Sequence, residues 1–192
     1  MMLRVIYGGA LGAVVLMAFG YFYWALLLPP GLAIREVRDQ PRLADALRSL
    51  LPVAGTYFIP HAPAGGQESQ GPRDGDHRPP PELRGAVAMV HFDPQGGNPL
   101  SAQTYLLSFA HFVLSAGLAA LLLAVALPAL ATYRRRAGFV FGLALFATFA
   151  VRLTDPIWYR LPWAYFLYSS LYLLAGWALA ALVIAAVVRP TK

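Results

Sequence analysis

The chain has 192 residues, of which 58% are hydrophobic and only 12% are charged, whereas soluble domains are roughly 25% charged. With a mean hydropathy of +0.56, this composition excludes a disordered chain and argues against a soluble globular domain. The formal net charge of +6 would suggest a nucleic-acid partner in a soluble protein. Its meaning here depends on where the basic residues lie along the chain.

Apolar segments long enough to cross the hydrocarbon of a bilayer divide the chain. They cover residues 5–28, 105–132, 137–154 and 163–188. In lipid, every backbone polar group must be satisfied within its own segment, so each is predicted to be a helix. The sequence therefore predicts an all-α membrane protein of four transmembrane helices. Its predicted divisions are residues 1–28, 29–100 and 101–192.

A signal peptide is the alternative interpretation of the first apolar segment, because Gly31-Leu32-Ala33 resembles a small-x-small cleavage site. Its apolar stretch is longer than the roughly 7–15 residues of a signal h-region. The segment ends in aromatic residues typical of a membrane interface, namely Tyr21, Phe22, Tyr23 and Trp24. We therefore expect this helix to be retained.

Residues 29–100 are predicted to form a small α+β insertion between the first two helices. Within it, residues 39–51 have a helical pattern, with Asp39 placed to cap the helix and Pro41 suited to its first turn. The apolar positions of this short helix fall on one face, at Leu43, Leu47 and Leu50.

Two short strands are predicted on either side of a loop in the same insertion. Residues 55–60 and 86–92 have strand character and could pair. Residues 61–84 between them contain Pro and Gly but almost no apolar bulk, which is typical of a flexible surface loop. Two strands and one short helix are too little for an independent core, so we expect the insertion to rest on the membrane helices or on a partner.

Basic residues predict the orientation. Six of the 15 basic residues lie at the two termini or between helices two and three, where there are no acidic residues: Arg4, Arg134, Arg135, Arg136, Arg189 and Lys192. Four spans bring these sites to one side, and short basic loops prefer the cytoplasm. The remaining basic residues balance all nine acidic ones. We expect a bacterial inner-membrane protein with both termini cytoplasmic, residues 29–100 periplasmic, membrane lipid as a partner and no nucleic acid.

A polar stripe runs along the second predicted helix. Thr104, Ser108, His111 and Ser115 follow helical spacing, so they share one face. That face is expected to meet protein or a cavity rather than lipid. His111 could ligate haem or a pigment, or donate to a quinone, and interhelical hydrogen bonding is the simpler structural interpretation.

The third predicted helix contains an ionisable pair. Arg152 and Asp155 are three residues apart and can pair on one helix face, which Thr148 extends, and Pro156 is predicted to end the helix. A pair at a helix end is the simpler interpretation. Contact with a lipid headgroup or a quinone is the functional alternative.

Aromatic residues are concentrated near the predicted periplasmic side. Tyr165, Tyr168 and Tyr172 share a face of the fourth helix with Ser169. Together with His111 they could line an outward-facing pocket for a lipid or another small molecule. Alternatively, they form a packed aromatic layer.

Glycines predict close packing of helices. Gly8 and Gly12 on the first helix, and Gly138 and Gly142 on the third, form small-xxx-small steps at similar depth. We expect the first and third helices to cross at this level, or one of these faces to meet a partner subunit.

Motifs for catalysis and for metal binding are absent from the sequence. There is no nucleophile elbow, zinc-protease helix, Walker loop or dinucleotide fingerprint, so an enzyme is not supported. The absence of cysteine excludes thiolate chemistry. His61, His77 and His91 match no local metal spacing, and no metal site is predicted.

The order of short motifs carries a resemblance. A glycine-rich first helix precedes Gly55-Thr-Tyr-Phe-Ile-Pro60, and Phe92-Asp-Pro and Asn98-Pro-Leu-Ser101 follow a variable stretch. Trp158-Tyr159 and Trp163-Ala-Tyr165 then precede the last helix. This pattern resembles a group of small, uncharacterised four-helix inner-membrane proteins of proteobacteria. The resemblance implies a fold and a location but no activity.

The sequence thus leaves three functions open. The first is a non-enzymatic accessory or scaffold subunit of a larger membrane complex, which is favoured by the small bundle and its glycine faces. The second is a lipid- or quinone-binding protein that uses the pocket around His111, Arg152 and Tyr168. The third is a haem or pigment carrier through His111. No cofactor is required by the sequence.

Overall fold

The computed structural model describes residues 1–27, 31, 33–59 and 87–190. The chain divides into two compact units, one made of Met1–Glu36 with Asn98–Lys192 and the other of Val37–Gly97. The predicted flexible loop over residues 61–84 lies outside the described residues, as do His61 and His77.

The larger unit contains four helical spans that are long and apolar enough to cross a membrane, as predicted. They are Met2–Leu26, Ala102–Ala129, Tyr133–Trp158 and Trp163–Val187. The first comprises α1 (Met2–Phe22) and a π-helical turn, Tyr23–Leu27. The second comprises α3 (Ala102–Ala126) and a 3₁₀ turn, Leu127–Ala129, and the fourth is α6 (Trp163–Val187).

The third span is continuous through Pro156, so the prediction that Pro156 ends it was wrong. It runs as α4 (Tyr133–Ala147), a π-helical turn over Thr148–Arg152, and α5 (Thr154–Trp158). Pro156 falls in the first turn of α5, where a proline's missing N–H removes no hydrogen bond that the helix needs. The π turn inserts extra backbone into the helix and changes which residues share a face beyond it.

The first span lies between the second and fourth, and the third span packs mainly on the fourth. An alanine substituted at Gly9 would place its Cβ 2.8 Å from the Gly117 Cα, and one at Gly12 would place it 2.9 Å from Ile184 Cδ1. These glycines therefore let the first span approach both neighbours closely. At Gly138 and Gly142 a Cβ would meet nothing within 4 Å in this chain. The expected crossing of the first and third helices at these glycines was wrong, because each glycine pair faces a different environment.

Small side chains form much of the bundle core. The buried residues shared by the first, second and fourth spans include Ala13, Ala116, Ala120, Ala180, Ala181 and Ala185. Large apolar residues are instead exposed on the outside of the bundle, among them Leu106, Leu114, Val125, Phe146 and Leu167. Small residues inside and large apolar residues outside are typical of a membrane bundle. Helix association in membranes is driven by close backbone approach, because lipid tails are as apolar as the side chains.

Arg136 binds the last turn of α6, and Arg4 binds the chain just beyond its end. Arg136 is only 8% exposed, and its Nε donates to the Ala185 carbonyl at 3.2 Å. The Arg4 guanidinium donates to the carbonyls of Arg189 at 2.7 Å and Pro190 at 3.1 Å. The last carbonyls of a helix have no partner within it and carry partial negative charge, so cationic donors stabilise this end.

The smaller unit contains α2 (Gln40–Leu50) and a two-stranded antiparallel sheet of β1 (Gly55–Ile59) and β2 (Ala88–Phe92), with Thr56 opposite His91. As predicted, the two strands pair and Asp39 caps α2, accepting from the Arg42 amide at 3.0 Å. None of this unit's described residues is buried. It therefore has no core in the described part of the chain, which agrees with the expectation from its size.

Candidate functional site: a polar cavity between the helical spans

A cavity of about 540 Å³ lies among the helical spans of the larger unit. The second, third and fourth spans supply most of its wall, and Leu16 is the contribution of the first. This volume falls in the range of sites that hold small molecules. Five of the seven predicted ligand-binding residues line it: Ser108, His111, Ser115, Arg152 and Tyr172.

The polar side of the cavity is the predicted stripe on α3. Ser108, His111 and Ser115 succeed one another at helical spacing and face the same space, so the expectation of a stripe turned toward a cavity is confirmed. Within the described ranges, none of these three side chains has a hydrogen-bond partner. His111 is exposed at the bundle surface, so the cavity opens to the surroundings of the bundle.

Thr104 does not belong to this wall. It lies in the first turn of α3, where its amide donates to Ser101 Oγ at 3.2 Å and its hydroxyl lies 2.9 Å from the same atom. Ser101 is thus the N-cap of α3, and the polar stripe splits into a capping pair and a cavity-lining triplet.

Arg152 lines the cavity from the third span and is held by the fourth. Its Nη2 donates to Ser169 Oγ at 2.7 Å. Ser169 in turn donates to the Tyr165 carbonyl at 2.8 Å, which leaves an oxygen lone pair for the guanidinium. Arg152 Nε is buried and has no hydrogen-bond partner in the described chain. A buried unpaired donor of this kind is unfavourable unless a further group satisfies it.

The predicted pairing of Arg152 with Asp155 was wrong. Arg152 forms no ion pair in the described part of the chain. The ion pair found there joins Arg48 to Asp45 in the smaller unit, at 3.1 Å. The reason lies in the backbone, because the π turn ends at Arg152 and the residues that follow begin α5. The i to i+3 rule for a shared face holds only within one regular α-helix. Asp155 does not line the cavity either.

The aromatic residues of the first and fourth spans form a packed cluster beside the cavity. Tyr23, which is 1% exposed, donates through its hydroxyl to the Tyr168 carbonyl at 2.8 Å. The rings of Trp24 and Tyr168 meet edge to face with centroids 4.9 Å apart. Tyr168 is therefore buried in this cluster, and its expected place in the pocket was wrong. Tyr172 contacts the cluster and also lines the cavity.

Sequence reasoning missed several residues of the cavity wall. Trp177 and Gly176 line it from α6, and Ala144 and Ala147 line it from α4. The small residues of α4 leave the space that larger side chains would fill. Apolar residues in an apolar helix give no signal of their own, so only the arrangement of the spans could reveal them.

Metal ligands are not gathered in the described part of the chain, where no group of three His, Asp or Glu side chains is placed to hold an ion. His91 Nδ1 lies 2.9 Å from Thr56 Oγ1 across the two strands. His61 and His77 lie outside the described residues.

Comparison of the chain with protein families, with curated proteins and with solved structures finds no match.

Proposed function

We propose that this protein is a non-enzymatic membrane protein that binds a lipid or a quinone in the cavity between its spans. The observation that carries the proposal is the convergence of Arg152 and the α3 polar stripe on one cavity. Polar groups inside a membrane span are unfavourable and are typical of functional positions.

The two ends of the cavity favour an amphipathic ligand. Ser108, His111 and Arg152 provide hydrogen-bonding groups, whereas Leu118, Leu122 and Leu143 provide apolar surface. A few placed polar groups in a largely apolar wall are typical of small-molecule sites. Exposure of His111 supports entry from the membrane.

We also propose that the chain lies in a bacterial inner membrane, with both termini in the cytoplasm and residues 29–100 in the periplasm. The basic residues Arg4, Arg134, Arg135, Arg136, Arg189 and Lys192 support this orientation. Retention of the first span is supported by its place between the second and fourth spans, where Gly9 and Gly12 pack closely.

The absence of native cysteine makes the orientation directly testable. We expect a single cysteine at Arg135 to resist a membrane-impermeant maleimide added to intact spheroplasts, and one at Val53 to react. Both residues are exposed, so accessibility within the protein does not differ between them. Permeabilised cells provide the control, in which both positions should react. Labelling of Arg135→Cys alone in intact spheroplasts would reverse the proposed orientation.

A second candidate function is that of an accessory or scaffold subunit of a larger membrane complex. Gly138 and Gly142 favour it, because a Cβ at either position would meet nothing within 4 Å in this chain. The small-xxx-small face of α4 is thus free to receive a helix of another membrane protein.

Purification in a mild detergent tests both candidates. We expect the wild-type protein to carry a tightly bound lipid or quinone that mass spectrometry detects. Ser115→Phe, which fills the cavity, is expected to reduce bound ligand at least about tenfold, consistent with the loss of a buried contact surface. Leu114→Phe is the matched control, because Leu114 is 74% exposed and does not line the cavity.

Other results of this purification would change the assignment. Equal ligand content in the two variants would contradict binding in the cavity. A stoichiometric second chain without bound lipid would favour the scaffold function. Soret absorbance would instead assign the site to haem held by His111.

A further inference from the structure

The cavity holds an uncompensated positive charge. Among the residues that line it, Arg152 is the one with a formal charge at neutral pH. In the described chain no carboxylate lies within 4.0 Å of its guanidinium, since the ion pair that the structure shows there lies in the smaller unit. A single unneutralised charge in a membrane span is unfavourable, and such groups are normally paired.

The hydrogen bonding of Arg152 is also incomplete. A guanidinium presents five N–H donors in a planar fork, and Ser169 accepts from Nη2 alone. Nε is buried without a partner in the described residues. A neutral quinone carbonyl could accept a hydrogen bond but would leave the charge unbalanced. A carboxylate or phosphate supplies both the opposite charge and several acceptor positions.

The cavity is graded from polar to apolar along the second span. Leu118 follows His111 by about 10 Å of helical rise, and Leu122 lies one further turn away. Leu143 faces the same cavity from α4, and Trp177 faces it from α6. A ligand headgroup at Arg152 would therefore have an apolar path for a hydrocarbon chain.

We infer that the ligand is an anionic amphiphile whose carboxylate or phosphate binds Arg152 and whose acyl chain lies along Leu118 and Leu122. His111, Ser108 and Ser115 are positioned to donate to remaining headgroup oxygens. This inference rests on the proposed binding function and specifies the ligand's chemistry, favouring a lipid over a quinone.

Quenching of Trp177 fluorescence by brominated acyl chains tests the inference on the purified full-length protein. The probes are 9,10-dibromostearate, the corresponding alcohol and the corresponding alkyl phosphate. We expect the wild-type protein to bind an anionic probe about ten- to a hundredfold more tightly than the alcohol, as expected for a charge-assisted hydrogen bond. Comparison of the carboxylate with the phosphate identifies the preferred headgroup. Trp177→Phe should remove the quenched signal.

Substitution of Arg152 determines whether it is the origin of the preference. In Arg152→Gln the anionic probe should lose its advantage while the alcohol still quenches, which also establishes that the cavity has folded. Arg152→Lys retains the charge and should keep most of the preference. Arg160→Gln is the control for loss of one positive charge, because Arg160 is exposed beyond the end of α5.

The failures of the two proposals are distinguishable. Equal binding of alcohol and anions to the wild-type protein, or an anionic preference that persists in Arg152→Gln, would overturn the inference and leave the binding function standing. Absence of Trp177 quenching by every probe would overturn both.

Discussion

Gly9→Ala is expected to destabilise the bundle by about 1–3 kcal/mol, the usual range for overpacking a close interface. The new Cβ would lie 2.8 Å from the Gly117 Cα and 3.1 Å from the Gly117 nitrogen. Both atoms are backbone, so the first and second spans would have to separate. This outweighs the gain of up to about 1 kcal/mol that alanine brings over glycine in a helix. Unfolding in mixed detergent micelles, followed by circular dichroism, measures the difference.

Gly142→Ala is the matched control for this prediction. It adds the same methyl group to another helix of the same bundle, where a Cβ meets nothing within 4 Å in this chain. We expect it to leave the isolated protein equally stable or slightly more stable. Gly8→Ala should fall between the two, because its Cβ would meet the Val188 Cγ2 at 2.8 Å, and a side chain can move. Equal stability of Gly9→Ala and Gly142→Ala would contradict the packing described for the first span.

Arg136→Gln is expected to destabilise the bundle by about 1–3 kcal/mol, the range for hydrogen bonds made by charged groups. Its guanidinium is bonded to the Ala185 carbonyl on α6 at 3.2 Å and to the Ala131 carbonyl at 3.3 Å. Removing it leaves the last turn of α6 without its cationic donor. The same unfolding assay measures the loss.

Arg135→Gln separates the structural effect of Arg136 from its charge. Both substitutions remove one positive charge from the start of α4, so their effects on orientation should be alike. Arg135 is exposed, and we expect its replacement to change the free energy of unfolding by less than about 0.5 kcal/mol. If Arg135→Gln were as destabilising as Arg136→Gln, the loss of positive charge at the start of α4, rather than of the bond to Ala185, would be responsible.

The spans and the cap of α2 were predictable because their signals are local. Apolar length determines a span, and Asp39 caps α2 through its own sequence neighbour, Arg42. The polar stripe of Ser108, His111 and Ser115 was predictable for the same reason, since helical periodicity alone places those residues on one face.

The failures come from two features that helical periodicity does not encode: how one helix packs on another, and where a span departs from α-helical geometry. Gly138 and Gly142 have the same spacing as Gly8 and Gly12, and sequence cannot say which pair faces a neighbour. Arg152 and Asp155 were expected to share a face, but a π turn separates their registers. Trp177 gave no signal because it differs little in polarity from the residues around it.

The bonds of Arg4 to the Arg189 and Pro190 carbonyls join residues 185 and 186 positions apart along the chain. The amino end of α1 therefore remains without these partners until translation and insertion of the fourth span are complete. A chain cut short before α6 would have the same charges at its amino end but would lack the Arg189 and Pro190 carbonyls that receive Arg4 and the Ala185 carbonyl that receives Arg136. Arg4 and Arg136 therefore acquire these acceptors only after the fourth span has been synthesised, so the earlier spans are fixed to it late in assembly.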